Sequence, residues 1–82
     1  MKLKVLKPIF ADTASTLVNT ASQYPETILL KKEHWVIDAK SLLGVLALAL
    51  QPAQIIEVTT DDGEPESFVE EVVKTGIFEK VE

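Results

Sequence analysis

Hydrophobic and polar positions change period along the chain, and each change predicts a new element. The segment KLKVLK alternates lysine with aliphatic residues, which predicts a strand with Leu3 and Val5 on one face. Pro8 ends this strand. From Asp12 onward the apolar positions take helical spacing, and Asp12 or Thr13 is the predicted N-cap. The apolar stripe of this helix is Ala14, Leu17, Val18 and Ala21.

The middle of the chain predicts a hairpin followed by a short helix. TILLKK and HWVIDA are typical of two strands joined by a tight turn near Glu33 and His34. The run KSLLGVLALAL predicts a helix with Ser41 as its N-cap. Its leucines are too dense for a simple two-sided surface helix, so some of them are either deeply buried or offered to a partner.

The last third predicts one more strand and one more helix. QIIEVTT is typical of a strand with Ile56 and Val58 on one side. Pro65 stands at a favourable first helical position, and Gly76 ends the helix. Its stripe is Phe68, Val69, Val72 and Val73. The order β-α-β-β-α-β-α over residues 1–82 predicts a single α+β domain, an antiparallel sheet with its helices on one face.

Composition narrows the function classes. The 82 residues include no cysteine, 46% are hydrophobic, and 13 acids against eight basic residues give a net charge of −5. Nucleic acid is not expected as a partner, because phosphate binding needs concentrated positive charge. Every basic residue is a lysine, so the planar bidentate clamp that arginine gives a phosphate is absent.

No stretch predicts a membrane segment or an enzyme site. No apolar run approaches the ~20 residues that cross a bilayer, and the start of the chain lacks a signal-peptide pattern, so we expect a cytoplasmic protein without membrane contact. The acids after Thr60 lack calcium-loop spacing, and neither a metal nor a cofactor is predicted. His34 is expected to be an exposed turn residue. Trp35 is expected to be a packing residue, although an exposed aromatic on a sheet could anchor a partner.

Two stretches resemble the HPr family, the small phosphocarrier of the bacterial sugar phosphotransferase system. They are TLVNTASQY in the first predicted helix and DAKSLLGVLALAL around the second. The resemblance spans nearly the whole chain in length and element order. It implies an open-faced sandwich, in which three helices cover one face of a four-stranded antiparallel sheet.

The resemblance breaks at the start of the first helix. The family motif there reads isoleucine, histidine, alanine, arginine, proline, alanine, and its histidine accepts phosphate. In this chain Phe10 stands at the histidine position, Asp12 at the arginine and Thr13 at the proline. A phenyl ring has no nucleophile, and a carboxylate repels a phosphoryl group. We expect Phe10 and Asp12 to fill the old anion site from within, and Asp12 to favour the helix dipole.

Ser41 matches a regulatory serine that an ATP-dependent HPr kinase phosphorylates in some members of the family. A phosphoserine at a helix N-terminus is favourable, since free N–H groups and the dipole attract negative charge. A capping role for Ser41 and a regulatory role are compatible.

The resemblance also predicts a surface for protein partners. Its residues are Leu42, Leu43, Leu46, Ser15 and Lys40. We expect at least one of the three leucines to be core. The implied partners are HPr kinase and a transcriptional regulator or metabolic enzyme.

The resulting hypothesis is a non-enzymatic HPr-like regulatory protein that lacks the phosphoacceptor histidine and is comparable to the catabolite repression paralogues of the family. One alternative is an HPr-fold interaction domain outside phosphotransferase regulation, in which Ser41 is never modified. The other is a phosphocarrier that uses an unconventional residue.

Overall fold

The chain folds into five strands and three helices. The structure, a computed structural model, describes residues 1–81. The strands are β1 (Lys2–Val5), β2 (Ile28–Lys32), β3 (Trp35–Asp38), β4 (Ile55–Thr60) and β5 (Phe78–Val81), and the helices are α1 (Asp12–Ala21), α2 (Leu42–Leu48) and α3 (Glu66–Lys74). This is the predicted α+β order with one strand added at the end.

All five strands form one antiparallel sheet with the order β3-β2-β4-β1-β5. The prediction of four strands was one short. β5 is four residues long and pairs with β1, where Val5 lies opposite Phe78. Its sequence, FEKV, carries two charged residues in the middle and therefore shows too little apolar alternation to be recognised as a strand. Gly76, at φ 82°, turns the chain from α3 back to the sheet.

The alternation in the strands places one face of the sheet in the core. Leu3 and Val5 of β1 and Ile56 and Val58 of β4 are buried, as predicted. Neighbouring residues such as Lys2 and Glu57 face outward and lie opposite one another in the β1–β4 register. Each buried Val, Leu or Ile side chain contributes about 1.5–3 kcal/mol relative to an exposed one. The three helices cover this face.

The predicted helical stripes are the core-facing sides of α1 and α3. The buried members are Ala14, Leu17, Ala21, Phe68, Val69 and Val72, while Val18 and Val73 are half-buried and pack against the core. Among residues 1–81 no polar or charged side chain is buried. The interior is therefore a purely apolar layer between sheet and helices.

The β2–β3 hairpin confirms the predicted tight turn. Lys32 pairs with Trp35, which leaves Glu33 and His34 as the two turn residues. Glu33 has φ 56°, whereas His34 has a negative φ, which is the pattern of a type II′ turn. Such turns favour glycine at the first position, and because Glu33 stands there, the turn type was not predictable from the residues.

Candidate functional site

The start of α1 is shaped by backbone conformation and by one hydroxyl. The N-cap residue is Ala11, at φ 52° and ψ −117°, and no side chain caps the helix. The prediction of Asp12 or Thr13 as N-cap was therefore wrong, since both lie inside the helix. A non-glycine residue at positive φ costs free energy and persists only where its surroundings fix it.

Thr13 holds the loop before the helix. Its hydroxyl oxygen accepts a hydrogen bond from the N–H of Phe10 at 3.0 Å. The hydroxyl is also placed to donate to two carbonyl oxygens, that of Pro8 at 2.8 Å and that of Phe10 at 2.9 Å. Ile9 is buried, and its N–H donates to the carbonyl of Leu50 at 3.0 Å. The loop is thus fastened both to α1 and to the chain that follows α2.

Phe10 and Asp12 do not fill this site from within. The Phe10 side chain is 66% exposed, and Asp12 is also exposed. Our expectation of an internally filled anion site was wrong, because the core beneath the loop is already occupied by Ile9. The helix start presents a phenyl ring and a carboxylate to solvent.

Ser41 caps α2 as predicted. It has an extended backbone conformation, and its hydroxyl oxygen accepts a hydrogen bond from the N–H of Gly44 at 3.1 Å. The side chain of Ser41 is exposed. Gly44 lies close to β3, since a Cβ there would be 3.3 Å from the Cβ of Ile37. α2 therefore packs closely over the edge of the sheet.

The three leucines after Ser41 all face outward. Leu43 is 82% exposed, and Leu42 and Leu46 are exposed as well. The expectation that at least one of them is core was wrong. Val45 and Leu48 fill the core instead, since this seven-residue helix contacts the rest of the protein along one side only. Most of its apolar circumference is left in solvent.

Phe10 and the leucines lie on segments that follow or precede elements in contact with each other. The hydrogen bond between Ile9 and Leu50 holds the residue before Phe10 against the chain just after α2, and Leu46 lies in the last turn of that helix. The helices α1 and α2 also pack against each other. Leu42, Leu43, Leu46 and Phe10, here called the apolar surface, are exposed on two neighbouring segments, helix α2 and the loop before α1.

The other two predicted partner-binding residues differ in accessibility. Ser15 is exposed in the first turn of α1. Lys40 is half-buried, and its ammonium donates to the carbonyl of Tyr24 at 2.6 Å. This bond ties the segment before α2 to the segment after α1, so Lys40 has a structural contact in addition to any role in binding.

Trp35 lies on β3, an edge strand of the sheet. Trp35 is 58% exposed, and its ring stacks on His34 at 5.6 Å between centroids. Of the two alternatives for Trp35, packing was wrong and the exposed aromatic is what the structure has, and His34 is the exposed turn residue expected. A tryptophan side chain is buried only if neighbouring elements cover it. Because β3 is at the sheet edge, its Trp35 stays exposed.

Within residues 1–81, no group of three or more His, Cys, Asp or Glu side chains is placed to hold a metal ion. In the same part of the chain no helix has the length and apolar character to cross a bilayer.

Comparison with known proteins places this geometry in a family. Residues 7–75 match the family model described as the PTS HPr component phosphorylation site, well over half of the chain. The phosphocarrier protein HPr of Bacillus anthracis has the same fold, with a TM-score of 0.80 and 24% identity over 90% of both chains.

Two further solved structures share the fold. The histidine-containing phosphocarrier protein of Mycoplasma has a TM-score of 0.79 and 18% identity, covering 98% of this chain and 100% of its own. The Bacillus subtilis catabolite repression containing protein Crh, described as a swapped dimer, has a TM-score of 0.68 and 20% identity over 85% and 78%.

Proposed function

This chain belongs to the HPr family of the phosphotransferase system, and we propose that it is a non-catalytic regulatory member that acts by binding other proteins. The apolar surface carries the proposal. Four large apolar side chains exposed on two neighbouring segments are typical of a protein docking site, since a partner that covers them removes apolar surface from water. The partner class is a protein with an apolar recess.

The residues at the start of α1 argue against a phosphocarrier. Phe10 offers no lone pair for a phosphoryl group, and Asp12 adds negative charge two residues away. His34, the one histidine, lies in the β2–β3 turn and stacks on Trp35. An imidazole there has no helix N-terminus beside it to stabilise a phosphate.

Ser41 supports control by phosphorylation. Its exposed hydroxyl directly precedes Leu42, so a phosphate would add about −1.5 to −2 charges beside the apolar surface. The phosphate oxygens would still accept from the N–H of Gly44, and α2 would keep its cap. The modification would change the surface that partners meet without unfolding the helix. The partners of this model are HPr kinase and, as target, a transcriptional regulator or metabolic enzyme.

The test combines two phosphorylation reactions read by intact mass. Incubation with ATP and an HPr kinase should add one phosphate to the native chain and to Ser15→Ala, and none to Ser41→Ala. Ser15→Ala is the matched control because Ser15 is also an exposed serine near a helix start. Incubation with phosphoenolpyruvate and the general phosphotransferase enzyme should add none.

Each outcome has a distinct consequence. Phosphate gained from phosphoenolpyruvate would reject the non-catalytic assignment. No phosphate from the kinase would reject regulation at Ser41 and leave an HPr-fold interaction domain outside that circuit. Binding is tested separately, with a protein captured by the native chain and lost with Leu43→Glu but retained with Glu70→Gln on the exposed side of α3.

A further inference from the structure

The two edges of the sheet differ in their protection against pairing. β5 carries two adjacent exposed charges, Glu79 and Lys80. β3 contains neither lysine nor proline, and it exposes Trp35 and Val36, the latter by 52%. Lysine and proline are common devices by which sheets keep an edge from pairing. The β3 edge lacks both.

The backbone of β3 leaves hydrogen-bonding groups free at this edge. The N–H of Ala39 donates to the carbonyl of Ile28 in β2 at 2.8 Å. Hydrogen-bonded pairs alternate along an antiparallel ladder, so Ile37 also turns its N–H and C=O toward β2. Those of Val36 point the other way, toward solvent.

We propose that β3 pairs antiparallel with β3 of a second copy of this chain, with the two-fold axis through Val36. In this register Val36 lies opposite its own copy as a hydrogen-bonded pair. Trp35 of each chain lies opposite Ile37 of the other, and His34 opposite Asp38. The first is an aromatic with β-branched pair, and the second sets an imidazole against a carboxylate.

Neighbouring registers are less favourable. An axis through Ile37 places Val36 opposite Asp38, and an axis through Trp35 places Glu33 opposite Ile37. Each of these two registers places an apolar side chain opposite a carboxylate, and the two-fold symmetry makes that pair occur two times. Such cross-strand pairs are unfavourable. In the register centred on Val36, residues 34–38 of one chain therefore pair favourably with the same residues of a second chain. This is why a second copy of the chain fits the β3 edge.

Helix α2 extends the same contact. Gly44 marks the side of α2 that lies over β3, and Ala47, three residues on and exposed, shares that side. A two-fold axis perpendicular to the sheet keeps the helices of both copies on one face of the joined sheet. Leu42 and Leu46 lie on the opposite side of α2, whereas Leu43, four residues before Ala47, borders the proposed contact, so this interface adjoins the proposed partner surface.

The test is sedimentation equilibrium of the full chain over a range of concentrations. Val36→Lys places two lysines opposite each other at the axis, with their Cα atoms about 5.5 Å apart, and should weaken association at least about tenfold. Ile55→Lys is the matched control, since Ile55 is an exposed residue on the same outer face but on the interior strand β4. It should associate like the native chain. Circular dichroism and urea midpoints establish that both variants fold.

Disulfide trapping gives a positive readout. The chain has no cysteine, so a single introduced one reports a single contact. A distance of about 5.5 Å between the two Val36 Cα atoms lies within the range that a disulfide spans. Val36→Cys should therefore form a covalent dimer in a glutathione buffer far faster than Ile55→Cys. A native chain that is monomeric at every concentration, dimerisation of Val36→Lys, or equal trapping at both positions would overturn the proposal. A β3 edge filled only by a strand of another protein would overturn it as well.

Discussion

The hydroxyl oxygen of Ser41 accepts a hydrogen bond from the N–H of Gly44 over 3.1 Å, and a Cβ on Gly44 would lie 3.2 Å from that same oxygen. One exposed side chain thus holds the first turn of α2 while remaining open to solvent on its other side. The atom that caps the helix is the atom that a kinase would esterify.

Replacing Ser41 should separate its capping role from regulation. Ser41→Ala removes the acceptor and should lower the free energy of unfolding by about 1 kcal/mol, whereas Ser41→Asp, which caps equally well, should leave it nearly unchanged. Urea denaturation measures both. Equal stability of Ser41→Ala and the native chain would mean that the hydrogen bond contributes nothing.

Truncation to alanine should lower the free energy of unfolding by very different amounts at two leucines of α2. Leu43 is 82% exposed and Leu48 is 5% exposed. Leu43→Ala should change the free energy of unfolding by less than about 0.5 kcal/mol, while Leu48→Ala leaves a cavity and should cost about 2–5 kcal/mol. Comparison of their urea midpoints checks which side of α2 is core. A large loss at Leu43 would contradict the outward orientation.

Glycine should be more stable than alanine at the left-handed position that ends α2. Ala49 has φ 50° and ψ 49°, a conformation that glycine adopts without a steric cost. Ala49→Gly should raise the free energy of unfolding by about 1 kcal/mol. Ala47→Gly, inside the helix, should lower it by a similar amount, about 1 kcal/mol, and serves as the control. Thermal and urea unfolding of the pair distinguish the two signs.

Tyr24 predicts a decline in stability at high pH. Its hydroxyl donates to the carbonyl of Ser67 at 3.1 Å, and burial, with Glu71 nearby, raises the pKa of Tyr24 above its ordinary value. Above the unfolded pKa of about 10, the unfolded chain loses this proton before the folded chain does, so stability falls as pH rises. Tyr24→Phe should have a shallower decline between about pH 9 and 11. Identical slopes for both proteins would show that another group is responsible.

Restoring an imidazole should test the assignment of Phe10 to the family's histidine position. Phe10→His should accept phosphate from phosphoenolpyruvate and the general phosphotransferase enzyme only slowly, because the Asp12 carboxylate repels the phosphoryl group. The double variant Phe10→His with Asp12→Arg should be labelled faster, since arginine stabilises that charge. Phe10→His with Asp12→Asn separates removal of repulsion from gain of attraction. A double variant that stays unlabelled would contradict the assignment.

Local chemistry was predictable where neighbouring residues settle it. The alternation around Leu3 and Val5 fixes which side of β1 faces the core, and the hydroxyl of Ser41 needs only the N–H three residues on. The start of α1 was not predictable in the same way. Its N-cap is Ala11, a residue whose positive φ depends on the fastening of the loop by Thr13 and Ile9.

The element order up to α3, the core-facing sides of β1, β4, α1 and α3, and the cap at Ser41 could all be predicted from the residues alone, since each follows from a local period or a local hydrogen bond. The exposure of the α2 leucines, the exposure of Phe10 and the edge positions of β3 and β5 depend instead on how the elements pack together. The physical reason is that an apolar helix has no sidedness of its own. Burial there depends on which neighbours cover it, and α2 is covered along one side only.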